Sequence, residues 1–139
     1  MAECRERALS LLGKAREDLY AATCLARDEE ASLWTVGFHA QQAVEKSLKA
    51  VLMARGIRYP FTHDIAALLK LAHQDGLPLP CNSEEMPYLT PFGTLLRYED
   101  EEWGLPATLE ACHLLQPAED AVAWARSLIE EVPKRNDET

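Results

Sequence analysis

The sequence predicts an all-α protein, folded as an antiparallel up-and-down bundle of four or five helices. Apolar residues recur at intervals of three and four along most of the chain, which is the spacing of amphipathic helices. No stretch alternates apolar and polar residues for the length of a strand. With 139 residues, 47% of them hydrophobic, the chain has the size of one domain with its own core.

The first two helices are predicted to form a hairpin. Periodic apolar residues indicate a first helix from Glu3 to about Arg27 and a second from about Ser32 to Ala54, which Gly56 stops. Only a short polar connection separates the two helices. They must therefore pack side by side in opposite directions.

A shorter third helix is predicted after an extended segment at residues 58–61. Pro60 disfavours helical conformation in the residue before it. Thr62 is expected to be the N-cap, with Asp64 in the first turn, where its charge complements the helix dipole. The helix is expected to end at Gly76.

The second half of the chain is expected to be less regular before a long final helix. Four prolines between residues 77 and 91 limit any helix there to short pieces, and residues 88–98 have room for two or three turns. The final helix is predicted from Thr108, as N-cap, to about Glu131. Pro117 should kink this helix or mark its true start.

Composition and charge exclude several classes of protein. The net charge of −9 argues against broad adhesion to nucleic acid or anionic membranes. We expect a cytoplasmic protein, because the N-terminus lacks a signal-peptide core and no apolar run is long enough for a membrane span. The bundle is expected to occupy residues 1–132, followed by a flexible polar tail at 133–139. We expect no metal or cofactor, because no histidine has zinc-ligand spacing to the scattered cysteines, Cys4, Cys24, Cys81 and Cys112.

The second helix has polar residues within its apolar face. Gln41 and Glu45 fall on the same line of the helix as four apolar residues, Trp34, Phe38, Leu48 and Leu52. A carboxylate at such a position is costly without a partner. The two polar side chains either lie at the rim, meet a second chain, join a polar network inside the bundle or line a site. Trp34, Phe38 and Leu48 are the candidate dimer interface.

A basic cluster near the end of the second helix has two interpretations. It can complement the helix dipole, or it can contact phosphates while nearby Tyr59 and Phe61 stack on a base. The candidate residues for nucleotide or RNA binding in this cluster are Lys46, Lys49, Arg55 and Arg58.

The order of four stretches resembles the HEPN domain family, the "higher eukaryote and prokaryote nucleotide-binding" helical bundles. The most specific stretch is Phe38-His39-Ala40-Gln41-Gln42-Ala43-Val44-Glu45-Lys46-Ser47-Leu48-Lys49-Ala50. The other three are Ala15-Arg16-Glu17-Asp18-Leu19, Thr62-His63-Asp64-Ile65 and Leu96-Arg97-Tyr98. The resemblance implies a homodimeric all-α bundle, often encoded beside a minimal nucleotidyltransferase as a toxin-antitoxin pair.

The resemblance also implies an enzyme class, but this sequence departs from its motif. Many HEPN proteins are metal-independent ribonucleases that use an arginine followed, after four to six residues, by a histidine. Arg97 is present here, yet acidic residues, Trp103 and Gly104 occupy the positions where the histidine would stand. His39 or His113 could replace it only from another helix. Arg97 and Tyr98 remain candidates for nucleotide or RNA binding.

The missing histidine leaves three functional hypotheses. We expect a noncatalytic dimeric interaction or nucleotide-binding module that works with a nucleotidyltransferase partner, because RNA cleavage without metal requires a proton carrier. The alternatives are a ribonuclease toxin that uses Arg97 with an unrecognised proton carrier, and a helical scaffold without a ligand. Arg97 could also pair with Glu45. The acidic run at 99–102 is either a solvated loop or, less consistently with octahedral geometry, a magnesium site.

Overall fold

The computed structural model describes residues 2–94 and 105–130, and this part of the chain is helical with no strand. The prediction of an all-α fold is therefore confirmed. A short 3₁₀ segment, Ser83–Leu89, precedes α4. The five helices are α1 (Ala2–Ala26), α2 (Leu33–Ala54), α3 (Ile65–Gln74), α4 (Thr90–Thr94) and α5 (Ala111–Ile129).

Helix α2 is the central element of the bundle. It packs against α1, α3, α4 and α5, and α1 also packs against α5. Small side chains allow α1 to approach closely, since Ala8, Ala15 and Ala22 are completely buried in its contact face. Larger buried side chains supply the core of α2, and each contributes about 1.5–3 kcal/mol relative to an exposed position.

Glycines end α2 and α3 in the same way. Gly56 has φ of +72° and Gly76 has φ of +80°, a left-handed conformation that residues with a Cβ rarely adopt. The following N–H groups then reach back to the helix, from Ile57 to the carbonyl of Leu52 at 2.9 Å and from Leu77 to that of Ala72 at 3.1 Å. This is the pattern of a Schellman motif, and it confirms Gly56 as the stop of the second helix.

The N-cap predicted for the third helix was wrong. Asp64, not Thr62, is the N-cap, and its carboxylate accepts hydrogen bonds from the N–H groups of Ala66 and Ala67 at 3.0 and 3.4 Å. The Thr62 hydroxyl accepts instead from the N–H of Asp64 at 3.0 Å. Thr62 therefore stabilises the turn before the helix, and the turn directs His63 toward α2.

The predicted start of the final helix was also wrong. Glu110, not Thr108, is the N-cap of α5, and its N–H donates to Nδ1 of His113 at 3.0 Å. This bond is half of a reciprocal capping arrangement that Thr108 cannot make from two residues upstream. Pro117 lies inside α5 and is buried there, so it does not mark the start of the helix.

Several predictions lie outside the described residues. They concern Arg97 and Tyr98, the acidic run at 99–102, the far end of the short helix predicted over 88–98, and the chain beyond residue 130. That last part includes the predicted helix end at Glu131 and the tail at 133–139. None of the helices in the described part combines the length and apolarity of a membrane span.

Helix α4 reaches α2 through two glycines. A Cβ added to Gly37 would lie 2.2 Å from a ring carbon of Phe92, and one added to Gly93 would lie 2.5 Å from the amide group of Gln41. Neither position leaves room for a side chain. The contact lets α4 cover polar residues of α2, among them Gln41.

Candidate functional site

The site is built around a buried carboxylate on α2. Glu45 is 5% exposed and Gln41 is completely buried. The Glu45 carboxylate accepts hydrogen bonds from Gln41 Nε2 at 2.7 Å, from Lys49 Nζ at 2.8 Å and from His63 Nδ1 at 3.1 Å to both oxygens. Of the alternatives for these residues, the structure therefore supports a polar network inside the bundle. A position at the rim is wrong.

The network keeps Glu45 ionised despite its burial. Removal from water by itself raises the pKa of Glu45, because the charged form loses its hydration. The hydrogen bonds from Lys49, Gln41 and His63, together with the positive charge of Lys49, more than offset that effect and lower the pKa below its ordinary value. Glu45 is therefore a carboxylate at neutral pH and acts only as a hydrogen-bond acceptor.

A chain of amides holds the network in one orientation. Gln42 Nε2 donates to Gln41 Oε1 at 2.7 Å, and Gln41 in turn donates to Glu45. Gly93 lies against the Gln41 amide, because a Cβ added at Gly93 would stand 2.5 Å from that group. The polar groups of Gln41 are thus partnered on both sides, which removes most of the cost of burying them.

His63 is the exposed member of the network. The His63 side chain is 50% exposed, although its Nδ1 atom contacts the buried carboxylate. Its ring meets that of Phe61 edge to face at 5.9 Å between centroids, and Phe61 is 94% exposed. On the inner side, Lys49 Nζ lies 5.7 Å from the centre of the Tyr59 ring. We call these five residues, Glu45, Lys49, Tyr59, Phe61 and His63, the His63 surface.

A second cluster on α2 also joins a carboxylate to a histidine and a lysine, but its histidine is less exposed. Asp18 of α1 contacts His39 Nδ1 at 2.9 Å and accepts from Lys46 Nζ at 2.6 Å. The His39 side chain is 29% exposed, compared with 50% for His63. The His39 ring meets that of the half-buried Phe38 edge to face at 5.3 Å between centroids. Its geometry ties α1 to α2, and it carries no functional assignment.

The predicted basic cluster is divided among three carboxylates. Lys46 pairs with Asp18, Lys49 with Glu45, and Arg55 with Asp75 at 3.0 Å. Arg58 is exposed and makes no ion pair within the ranges that the structure describes. The four residues therefore do not form a patch of unpaired cations. The helix-dipole interpretation stays a prediction.

The candidate interface residues have different environments. Leu48 has no exposed surface, because it is part of the core of the bundle, and this removes it from the candidate interface. Trp34 and Phe38 are half-buried. The Trp34 ring packs against that of Phe92 at 4.9 Å between centroids. Trp34 and Phe38 therefore retain the surface that an interface requires.

Sequence reasoning missed the role of His63. The stretch Thr62-His63-Asp64-Ile65 contributes to the family resemblance, but the sequence pattern assigns no chemistry to its histidine. The sequence signal for this role is Glu45, a carboxylate on an apolar helix face that needs partners. Lys49 is predictable as one partner because it lies four residues along the same helix. His63 is not, because it comes from another segment. The two histidines that the sequence offers as proton carriers have other partners: His39 contacts Asp18, and His113 accepts from the N–H of Glu110 in the cap of α5.

The described residues provide no arrangement typical of a metal centre. They contain no group of three or more histidine, cysteine, aspartate or glutamate side chains placed to hold a metal ion. All four cysteines are free thiols. The chemistry available at the His63 surface is therefore that of an oriented imidazole, an ion pair and aromatic rings.

A helical bundle with its polar network on the central helix agrees with the outcome of the comparisons with known proteins. The family model described as the HEPN domain matches residues 8–135. The chain therefore belongs to the HEPN family, as the four stretches indicated. The searches of curated proteins and of solved structures gave no match.

Proposed function

We propose that this HEPN protein is a noncatalytic nucleotide-binding module that acts as a homodimer. The observation that carries the proposal is the pairing of an almost fully exposed Phe61 with a half-exposed His63, whose ring is fixed by the buried Glu45. Membership of the family supports a nucleotide or an RNA as the ligand. The proposal assigns the His63 surface to that ligand.

Each group of the surface has a role in binding. Phe61 offers a ring face for a nucleobase, and such stacking contributes about 1–3 kcal/mol per base without selecting one base. His63 offers a polar atom beside that ring. The remaining candidates from the sequence, Arg58 in the same segment and Arg97 with Tyr98, are proposed as additional contacts.

Equilibrium binding tests this proposal. Fluorescence anisotropy with labelled ATP and labelled single-stranded RNA should give saturable binding, and Phe61→Ala should weaken it about 5- to 150-fold, the equivalent of about 1–3 kcal/mol. The control is Tyr20→Ala, which removes an aromatic side chain that is 72% exposed on α1. Absence of binding would favour a scaffold without a ligand. Equal losses in both variants would remove Phe61 from the site.

The proposal extends to assembly and partner. The half-buried Trp34 and Phe38 are proposed as the homodimer contact, and a minimal nucleotidyltransferase is the proposed partner in a toxin-antitoxin-like pair. Light scattering should report a dimer that Phe38→Asp converts to a monomer. Co-purification with the product of a neighbouring nucleotidyltransferase gene would support the pair, and a monomeric protein would contradict the dimer.

A second candidate function is a metal-independent ribonuclease, and one observation favours it. His63 is an oriented imidazole at the surface, which is the kind of proton carrier that the residues after Arg97 lack. RNA incubated with the protein in EDTA distinguishes the two candidates. Cleavage that is lost in both His63→Gln and Arg97→Ala would establish the ribonuclease. Intact RNA with all three proteins would support the noncatalytic module.

A further inference from the structure

The carboxylate of Glu45 determines which nitrogen of His63 carries a proton. An ionised carboxylate can only accept, and both of its oxygens lie 3.1 Å from Nδ1 of His63, so Nδ1 must be the donor. In a neutral imidazole the other nitrogen, Nε2, is then an acceptor with a lone pair. Nε2 makes no hydrogen bond within residues 2–94 and 105–130, and half of the side chain is exposed.

Charged groups approach His63 from α2 and from its own segment. From α2, Glu45 faces the ring, but Lys49 neutralises that carboxylate at 2.8 Å. From its own segment come Asp64, the exposed N-cap of α3, and the exposed Arg58. Within the described ranges, α1, the 3₁₀ segment, α4 and α5 make no ion pair with His63. Apart from Glu45, no carboxylate in the described ranges lies within ion-pair distance of the His63 ring.

A phosphate group placed at Nε2 would need a hydrogen-bond donor there. Phosphate oxygens only accept hydrogen bonds at neutral pH, and the lone pair of a neutral Nε2 offers them no donor. We infer that a nucleotide phosphate binds at Nε2 of His63 and that the ring takes up one proton as it binds. The cation then donates from Nδ1 to Glu45 and from Nε2 to the phosphate, which makes two charge-assisted hydrogen bonds.

The inference rests on the proposed function and adds the chemistry of recognition to it. It defines His63 as the group that contacts phosphate and Glu45 as the residue that positions it. Linked uptake of one proton makes the association constant fall about tenfold for each unit of pH over the range in which the free ring is neutral. A fixed cation such as arginine would give no such dependence.

The probe must not titrate in the same range. A phosphate monoester changes charge at about pH 6, which would imitate proton uptake by the protein. A short labelled deoxyoligonucleotide avoids this, because its phosphodiesters keep their charge and it lacks the 2′-hydroxyl group needed for cleavage. Anisotropy across a series of pH values at constant ionic strength gives the slope. Calorimetry in two buffers of different ionisation enthalpy counts the protons.

Two variants make the experiment specific. His63→Gln keeps a side-chain N–H donor that does not titrate, so binding should persist and lose its pH dependence. His73→Gln removes an exposed histidine from α3, the helix that follows His63, and should behave as wild type. The inference would be established if the logarithm of the association constant falls with pH with a slope of about −1, and if only His63→Gln removes that slope.

The other outcomes separate the inference from the proposed function. Binding that is independent of pH, or that has the same slope in His63→Gln, would overturn proton uptake at His63 and leave nucleotide binding intact. No binding of this probe, of ATP or of RNA at any pH would overturn both.

Discussion

The ion pair between Lys49 and Glu45 allows the strongest prediction about stability. Both side chains are largely buried, with exposed fractions of 13% for Lys49 and 6% for Glu45. Replacing Lys49 with methionine keeps the unbranched apolar stem of the side chain but removes its charged amino group. The Glu45 carboxylate would then stay buried without its nearest cation.

The expected cost of Lys49→Met follows from the hydrogen bonds that remain. Removing one partner of a buried ion pair commonly costs about 3–5 kcal/mol of unfolding free energy. Glu45 would keep the bonds from Gln41 at 2.7 Å and His63 at 3.1 Å, so the lower end, about 3 kcal/mol, is expected.

Urea denaturation followed by circular dichroism at a fixed protein concentration measures this loss. Lys70→Met is the matched control, because Lys70 is exposed on α3 and should change the unfolding free energy by no more than about 0.5 kcal/mol. The double variant Glu45→Gln with Lys49→Met should recover part of the loss, since no buried charge remains. If Lys49→Met were as stable as Lys70→Met, the buried network would not contribute as described.

Three further predictions concern residues of helix α2. Gly37→Ala should destabilise the protein by about 1–3 kcal/mol in urea denaturation, because its Cβ would lie 2.2 Å from the Phe92 ring. Ser47→Ala should be neutral or stabilising by about 1 kcal/mol in the same assay, because the buried hydroxyl has no partner in the described structure. The pKa of Glu45 lies below its ordinary value of 4.5, so its contribution is complete above that pH and is lost as the pH falls through the folded pKa. Acid titration should show that Glu45→Gln lacks this component.

Periodicity predicted the helices well because packing and pattern agree there. The hairpin of α1 and α2 and the stop at Gly56 follow from apolar spacing and from the left-handed conformation that glycine permits. The two N-caps were wrong because several polar residues stand close together before each helix. Thr62 and Asp64 can both accept a hydrogen bond from a backbone N–H group. Which of the two is the N-cap depends on the residue at which the backbone becomes helical, and the sequence does not specify that residue.

The candidate site was less predictable because its partners come from separate segments. Sequence spacing identified Gln41 and Glu45 as unusual and could pair Lys49 with Glu45 within the helix. It could not show that His63, eighteen residues from Glu45, folds back onto the carboxylate. For the same reason, the sequence predicts one basic patch, whereas in the structure Lys46 pairs with Asp18 and Arg55 with Asp75, both from other segments.

The most direct test of a noncatalytic nucleotide-binding module measures binding and cleavage in one sample. Labelled single-stranded RNA is titrated with the protein in EDTA, the bound fraction is read by anisotropy, and the same RNA is then resolved on a denaturing gel. We predict RNA that is bound and intact, with binding weakened by Phe61→Ala. RNA that stays unbound would contradict the proposal that the His63 surface binds a nucleotide or RNA. RNA cut by wild type but not by His63→Gln would contradict the noncatalytic assignment.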